Sequence, residues 1–245
     1  MEYSCCAMIR LFLTGDQMRS FARGIIFDLD DTLYLERDFV FSGFAAVGAW
    51  WQQRTGQTDF AARCARLFAA GVRGQVFDLA LAETEGEVDP SLIEQLVTIY
   101  RHHQPSISLA PDAARFLFDR PNDDFIGIIT DGPVSTQRSK IRALGLEHKA
   151  DLVLFTDAWG ISYRKPHSRA FEAVETASHL TASQLTYVAD NAIKDFVTPR
   201  TRGWQTVQIL RDDRIHWCDA PTPMHQAQSR IVTFDELELA IERFP

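Results

Sequence analysis

The sequence predicts an α/β protein whose core is a doubly wound, Rossmann-like parallel sheet, with a small all-helical domain inserted after the first strand. Two observations predict this architecture. Short apolar runs alternate with helical patterns through the second half of the chain, as they do when helices cover both faces of a parallel sheet. The segment between the first two apolar runs has only helical periodicity and is too long to be a loop.

The expected strands are short apolar runs, which are typical of strands buried on both faces of a sheet. They are residues 24–27, 125–129, 152–155, 185–189 and 206–210, with a weaker run at 230–232. Helical patterns lie between them at residues 134–145, which stop at Gly145, and at residues 167–179. The last helix is expected to begin at Thr233, where Glu236 would complete a capping box.

These patterns divide the chain into a core of residues 21–35 and 109–245 and a helical domain of residues 36–108. Residues 1–20 fit neither pattern and are expected to be an N-terminal extension. Further helical segments of the inserted domain are expected near residues 59–70 and 91–103.

The composition is that of a globular protein, because 46% of the 245 residues are hydrophobic and 24% are charged. A net charge of -8 argues against a surface that binds nucleic acid or an anionic membrane. No apolar run approaches the roughly 20 residues that span a bilayer, and no signal peptide is recognisable. The four cysteines lack the spacing of a zinc site. We therefore expect a reduced, cytoplasmic protein, either a monomer or a homodimer.

Polar residues that could bind a ligand or take part in catalysis follow the expected strands in turn. In chain order they are Asp28, Asp30, Thr130, Asp131, Gly132, Lys165, Asp190, Asn191 and Asp195. Ligands of open parallel sheets bind at the carboxyl ends of the strands, so we expect these groups to converge on one edge.

The acidic members of this set suit a divalent cation and a phosphorylated ligand. Asp28 and Asp190 follow different strands and can share Mg²⁺, which prefers a few carboxylates together with water and phosphate oxygens. The cation would neutralise phosphate charge, so that the Asp28 carboxylate can attack phosphorus and form an aspartyl-phosphate. Asp30 could protonate the leaving oxygen and then activate water.

The remaining members suit the phosphate group itself. The Thr130 hydroxyl and the backbone N–H groups of Asp131 and Gly132 can donate to phosphate oxygens beside the start of a helix. Lys165 adds a positive charge for the phosphate and the nucleophile. Each residue alone is weak evidence, since acidic turns and solvated lysines are common. Their order after successive strands makes the combination specific.

The combination resembles the motifs of the haloacid dehalogenase superfamily. Asp28-Leu29-Asp30-Asp31-Thr32-Leu33 looks like its first motif, Thr130 and Lys165 like its second and third, and Asp190-Asn191-Ala192-Ile193-Lys194-Asp195 like its acidic fourth. The helical insertion resembles the type-one cap of the family. One departure is Ala189, which stands where the family often has glycine.

The resemblance implies a role for each of these residues. Asp28 would be the nucleophile and Asp30 the general acid/base. Magnesium would be bound by Asp28, the backbone carbonyl of Asp30 and Asp190, with Asp195 nearby and Asn191 in support.

The resemblance also implies a phosphatase that acts on a small phosphorylated metabolite, such as a sugar phosphate or a nucleoside monophosphate. The acid at Asp30 favours an oxygen leaving group, because the dehalogenases of the family lack an acid there and a halide needs no proton. A phosphomutase of the β-phosphoglucomutase type would keep the same core residues. A non-catalytic phosphoryl-binding protein would have no need of Asp30. These two remain as alternatives.

Overall fold

The structure, a computed structural model, describes residues 8–9, 20–85, 89–119 and 123–242. The strands are β1 Met8–Ile9, β2 Arg23–Phe27, β3 Asp124–Thr130, β4 Leu152–Phe155, β5 Leu185–Ala189, β6 Gln205–Ile209 and β7 Ser229–Ile231. The α-helices are α1 Glu36–Thr55, α2 Phe60–Ala69, α3 Val76–Glu85, α4 Pro90–His102, α5 Pro111–Asp119, α6 Val134–Ala143, α7 Arg169–Ser178, α8 Val197–Thr201 and α9 Leu237–Glu242.

The strands form one sheet in the order β1-β4-β3-β2-β5-β6-β7. Strands β2 to β7 are all parallel, and helices follow β3, β4 and β5, so the predicted doubly wound, Rossmann-like sheet is confirmed. The sheet differs from the prediction at one edge, where an additional strand, β1, pairs antiparallel with β4 and Met8 is opposite Leu154. A strand of two residues is too short to show an apolar run or an alternating pattern, so the sequence analysis assigned these residues to the N-terminal extension. The remainder of residues 1–19 lies outside the described residues.

The central strands are buried along almost their whole length, since only Arg23 at the start of β2 is half-buried, and this burial explains their apolar runs. Every residue of β3 and β5 is buried. On one face of the sheet Phe171 of α7 contacts the rings of Tyr187 and Trp204 edge-on, with centroids 5.3 and 5.4 Å away. These three aromatic residues belong to the hydrophobic core that packs against the central strands.

The helix ends follow the predictions in one case and differ in another. Gly145 follows α6 with φ of 67°, the left-handed conformation that a residue without a Cβ adopts at little cost. The capping box expected at Thr233 is wrong. The Thr233 side chain accepts from Asp235 N, and the Glu236 carboxylate accepts from Val232 N instead of Thr233 N. A short 3₁₀ turn therefore precedes α9.

Contacts divide the chain into two compact units, residues 1–36 with 108–245 and residues 37–107. The second unit consists of helices, from α1 to α4, and one of them, α3, had no distinct signal in the sequence. Its interior is aromatic, with Trp51 stacked on Phe60 at a centroid distance of 4.8 Å. Within the described part of the chain, no helix combines the length and the apolar character needed to cross a membrane.

Candidate active site

The site lies where the chain reverses direction across the sheet. From β2 the chain proceeds to β3 and β4 on one side, and then crosses to β5 and β6 on the other. Asp28 directly follows β2, Thr130 ends β3, and Asp190 directly follows β5. Such a switch point opens a crevice at the carboxyl ends of the strands. The three residues are brought there by topology, although they are far apart in sequence.

Lys165 is a buried cation that contacts two buried carboxylates of the site. Its ammonium donates to Asp28 Oδ1 at 2.6 Å and lies 2.8 Å from Asp195 Oδ1, and its side chain is fully buried. It also donates to the Tyr187 hydroxyl at 3.0 Å. Burial lowers the pKa of Lys165, but Asp195 and Asp28 outweigh it and hold that pKa above its usual range. Lys165 is therefore a permanent cation that holds the Asp28 carboxylate in place.

Three buried carboxylates form a cluster next to this lysine. Asp28, Asp190 and Asp195 each offer an oxygen, and these oxygens lie within 4.8 Å of one another. Burial is the main cause that raises the pKa of Asp28 to about 6, although Lys165 opposes it. Burial, followed by the charges of Asp28 and Asp195, raises the pKa of Asp190 well above its ordinary value.

The Asp190 carboxylate carries an oxygen, Oδ2, that has no hydrogen-bond partner among the described residues. A buried carboxylate oxygen without a partner is costly, and a cation would satisfy it. Carboxylate oxygens are also the ligands that Mg²⁺ prefers. The donor set of Asp28, Asp190 and Asp195 therefore fits a hard divalent cation.

Asp30 faces a separate set of donors. Its carboxylate accepts from Lys140 Nζ at 2.7 Å, from Gln137 Nε2 at 3.0 Å and from the Tyr34 hydroxyl in a short hydrogen bond. Burial raises the pKa of Asp30, but Lys140 and the three hydrogen bonds outweigh burial and lower it. Asp30 therefore rests as a carboxylate, with both oxygens held.

The second group of predicted residues surrounds the end of β3. Thr130 is fully buried, and its hydroxyl accepts from Gln137 Nε2. An accepting hydroxyl keeps its own proton for a further acceptor, and among the described residues none takes it. The Asp131 side chain accepts from Thr156 Oγ1 at 2.8 Å and from Lys194 Nζ at 3.1 Å. Gly132 N donates to Asp157 Oδ1 at 3.3 Å, so this predicted phosphate donor has a carboxylate partner here.

The loop after β5 is held by its own polar groups. Asn191 N donates to Asp195 Oδ2 at 3.2 Å, and Asn191 Oδ1 accepts from Ile193 N at 3.0 Å. The side chain of Asn191 thus stabilises the turn, while Asp195 connects the turn to Lys165. Lys194 in this loop extends to Asp131, which places a second ammonium beside the end of β3.

Sequence reasoning missed several residues of the site, namely Tyr34, Gln137, Lys140 and Tyr187. A signal for two of them was present in α6, where the polar residues Gln137 and Lys140 are one helical turn apart. Polar residues on the inward face of a helix indicate buried partners. The inward face could be read from the sequence, because the apolar residues Ile141 and Leu144 lie four residues after Gln137 and Lys140, respectively, and so on the same side of the helix.

Residues 25–209 match the family described as haloacid dehalogenase-like hydrolase. The chain belongs to this hydrolase family. The match covers most of the chain and confirms the resemblance predicted from the motifs.

Curated relatives of this hydrolase include two enzymes with 28% identity. A glyceraldehyde 3-phosphate phosphatase from Methanocaldococcus jannaschii matches over 199 residues, which are 77% of this chain and 85% of that protein. A phosphoserine phosphatase from Thermus thermophilus matches over 172 residues, which are 66% of this chain and 68% of that protein. The solved structure of the HAD-hydrolase YfnB from Bacillus subtilis, bound to magnesium, has a TM-score of 0.63 and 19% identity. That similarity covers 91% of this chain and 99% of that chain, and at this identity it supports the fold.

Proposed function

We propose that this hydrolase is a magnesium-dependent phosphatase that cleaves a small phosphorylated metabolite through an aspartyl-phosphate intermediate. The observation that carries the proposal is the Asp28 carboxylate, which is held by the buried Lys165 and has an oxygen within 4.8 Å of an Asp190 oxygen. Asp190 also carries an oxygen that has no partner among the described residues. A nucleophile and a place for a cation therefore lie side by side. The phosphatase names of the two curated relatives support the same reaction class.

The chemistry has two steps. An oxygen of Asp28 attacks phosphorus, the bond from phosphorus to the leaving oxygen breaks, and Asp30 gives its proton to that oxygen. Water then attacks phosphorus of the aspartyl-phosphate, Asp30 takes the proton of that water, and the Asp28 carboxylate is regenerated as phosphate leaves. Lys165 maintains the position of Asp28 throughout and balances negative charge on the phosphoryl group.

The low pKa of Asp30 is compatible with an acid role because the substrate is itself an anion. A bound phosphate dianion near Asp30 disfavours the carboxylate and raises its pKa, so that a proton becomes available to the leaving oxygen. Once the leaving group has departed, Lys140 again favours the carboxylate, which is the form that accepts a proton from water. The same environment thus suits both steps.

Asp28 and Asp190, with the backbone carbonyl of Asp30, would hold Mg²⁺, and Asp195 would assist. When bound, the cation supplies charge neutralisation, which permits an anionic carboxylate to approach an anionic phosphate. Thr130 and Lys194 are the side chains that we propose for the phosphate oxygens, because each is a buried or half-buried donor at the same edge of the sheet.

We further propose that the helical unit of residues 37–107 is the cap of the family, because it follows the first motif in the chain. The cap would select among small phosphorylated substrates such as sugar phosphates or nucleoside monophosphates. The acid at Asp30 supports an oxygen leaving group rather than a halide.

The test is hydrolysis of 4-nitrophenyl phosphate by the wild type with Mg²⁺, with EDTA, and by Asp28→Asn. We expect Mg²⁺-dependent phosphate release that falls by at least about 10⁴-fold in the variant, since covalent catalysis has no substitute there. The matched control is Asp212→Asn, at an exposed aspartate, which should hydrolyse at the wild-type rate. Release that survives in pure, folded Asp28→Asn would refute the mechanism.

A further inference from the structure

Helix α6 directs two buried polar side chains at Asp30. Gln137 and Lys140 are three residues apart, so they lie on the same side of the helix. Lys140 donates to Asp30 Oδ1 at 2.7 Å and Gln137 donates to Asp30 Oδ2 at 3.0 Å. Each oxygen of the carboxylate therefore has a donor of its own, and the two donors together fix the rotation of the group.

Gln137 makes a second contact of functional interest. The same Nε2 that donates to Asp30 also donates to the hydroxyl of Thr130 at the end of β3. A single carboxamide thus connects the proposed acid/base to the proposed phosphate-binding hydroxyl. Tyr34 completes the enclosure of Asp30 by donating from its hydroxyl.

Burying these two polar side chains costs free energy of folding. Lys140 has only 5% of its side chain exposed and Gln137 is 2% exposed. Burying an ammonium and a carboxamide costs more than burying an aliphatic side chain of similar size, even when each has a partner. Leucine or methionine would fill the same space under the sheet edge. The polar pair is therefore better explained by what it does to Asp30 than by packing.

We propose that Gln137 and Lys140 are positioning residues that fix the Asp30 carboxyl group against the leaving oxygen of the substrate. This inference rests on the proposed phosphatase function. A group that protonates a leaving oxygen has to stay within about 2.6–3.2 Å of it, and a carboxyl group free to rotate meets that condition only part of the time. Loss of the pair should therefore affect substrates according to their need for a proton.

The test compares two substrates in each variant. Nitrophenolate departs from 4-nitrophenyl phosphate without a proton, whereas the alkoxide of glycerol phosphate must be protonated as it leaves. We expect Gln137→Met and Lys140→Met to lower kcat for glycerol phosphate by about 10²-fold and kcat for 4-nitrophenyl phosphate by less than about 10-fold, the range of general acid catalysis. Asp30→Asn should give the same split with a larger ratio.

Two further variants separate positioning from a general effect on structure. Lys140→Arg keeps an N–H donor and a positive charge at Asp30, and should recover most of the activity on glycerol phosphate. Arg142→Met removes a charge from the same helix at a position with 71% of the side chain exposed, and should leave both rates unchanged. Thermal unfolding of each variant checks that it is folded, and if Lys140→Met is not, the ratio in Gln137→Met decides.

The outcomes are distinguishable from those of the proposed function. Equal loss on both substrates in folded variants would overturn the positioning role and leave the phosphatase standing. A wild type that hydrolyses neither of these substrates, nor any of a panel of sugar phosphates and nucleoside monophosphates, in Mg²⁺ would overturn the proposed function and this inference together. A selective loss on glycerol phosphate, recovered by Lys140→Arg, would support both.

Discussion

At the scale of single residues, the site depends on Lys165. Its ammonium is the one fully buried cation that contacts both Asp28 and Asp195, as far as the described residues extend. A buried ion pair adds little to stability compared with a hydrophobic pair, but removal of one partner leaves the other charge buried without compensation. Here, removal of one lysine would leave two such carboxylates.

Lys165→Met should therefore destabilise the protein by about 3–5 kcal/mol near pH 8 in EDTA, measured by urea unfolding. The loss should shrink at lower pH, because the carboxylates then take up protons, and Mg²⁺ should restore part of it by supplying another positive charge. Arg142→Met is the control, since 71% of its side chain is exposed and an exposed ion pair contributes only about 0–1 kcal/mol. Equal stability of wild type and Lys165→Met would contradict this account of the charge balance.

Asp31 illustrates how a residue can be constrained by the turn that carries the site. Its φ is 53°, in the left-handed region that aspartate tolerates better than most residues because its side chain can bond locally. Here the carboxylate accepts from Glu36 N at 2.8 Å and from Ile215 N at 2.6 Å. The turn after Asp28 is thus tied to two other segments of the core unit.

At the scale of elements, the packing of α7 on the sheet supports the chemistry above it. Phe171 is fully buried and contacts Tyr187, whose hydroxyl in turn contacts Lys165. Tyr187 therefore joins the aromatic core to the charged cluster through the two ends of one side chain. A change in the packing of Phe171 should therefore shift the Tyr187 hydroxyl and its hydrogen bond with Lys165.

Phe171→Ala should lower the free energy of unfolding by about 3–5 kcal/mol, because it removes a ring from a closed core and leaves a cavity. The measurement is the midpoint of denaturant unfolding at constant m-value. Phe118→Ala, at a ring that is 67% exposed, should change stability by less than about 1 kcal/mol. A comparable loss in both variants would show that Phe171 is not part of a closed core.

At the scale of the whole molecule, acidic residues outnumber basic ones, and some of the acidic residues are concentrated at the site. The chain carries a net charge of -8, and it places three aspartates within 4.8 Å of one another at the sheet edge. Burial is the main cause that raises the pKa values of Asp28 and Asp190, and the like charges of the neighbouring carboxylates add to it. A cation that binds there needs the ionised forms and has to displace protons.

The stabilisation by Mg²⁺ should therefore depend on pH with a definite sign. The pKa of Asp28 rises from 3.8 to about 6 in the folded protein, so below pH 6 the folded site binds a proton that the metal must remove. The increase in Tm caused by Mg²⁺ should be small at pH 5 and should grow through pH 6 to 8. At about 100 times Kd it should reach roughly 5–10 °C for a chain of this size.

Differential scanning calorimetry with and without Mg²⁺ measures this increment. Asp190→Asn removes the carboxylate with the unpartnered oxygen and should abolish most of the increment at every pH. Asp212→Asn, at an exposed aspartate, should retain it. An increment that is independent of pH, or that survives in Asp190→Asn, would place the cation elsewhere.

The sequence by itself determined the parallel sheet and the order of the polar groups along it. Apolar runs such as residues 152–155 and 185–189 coincide with β4 and β5, because strands buried on both faces need uninterrupted apolar sequence. The sequence also predicted that Asp28, Lys165 and Asp190 would converge, since the carboxyl ends of parallel strands share an edge.

Only the tertiary structure decided which further side chains enter the site. Gln137 and Lys140 share the buried face of α6 with Ile141, but the sequence does not say which group of another element that face meets, so their contacts with Asp30 depend on how α6 packs on the sheet. Likewise, the position of Tyr187 in an apolar strand gave no reason to expect a hydroxyl at Lys165. Local periodicity encodes the elements, but long-range packing selects the face that each element presents to the site.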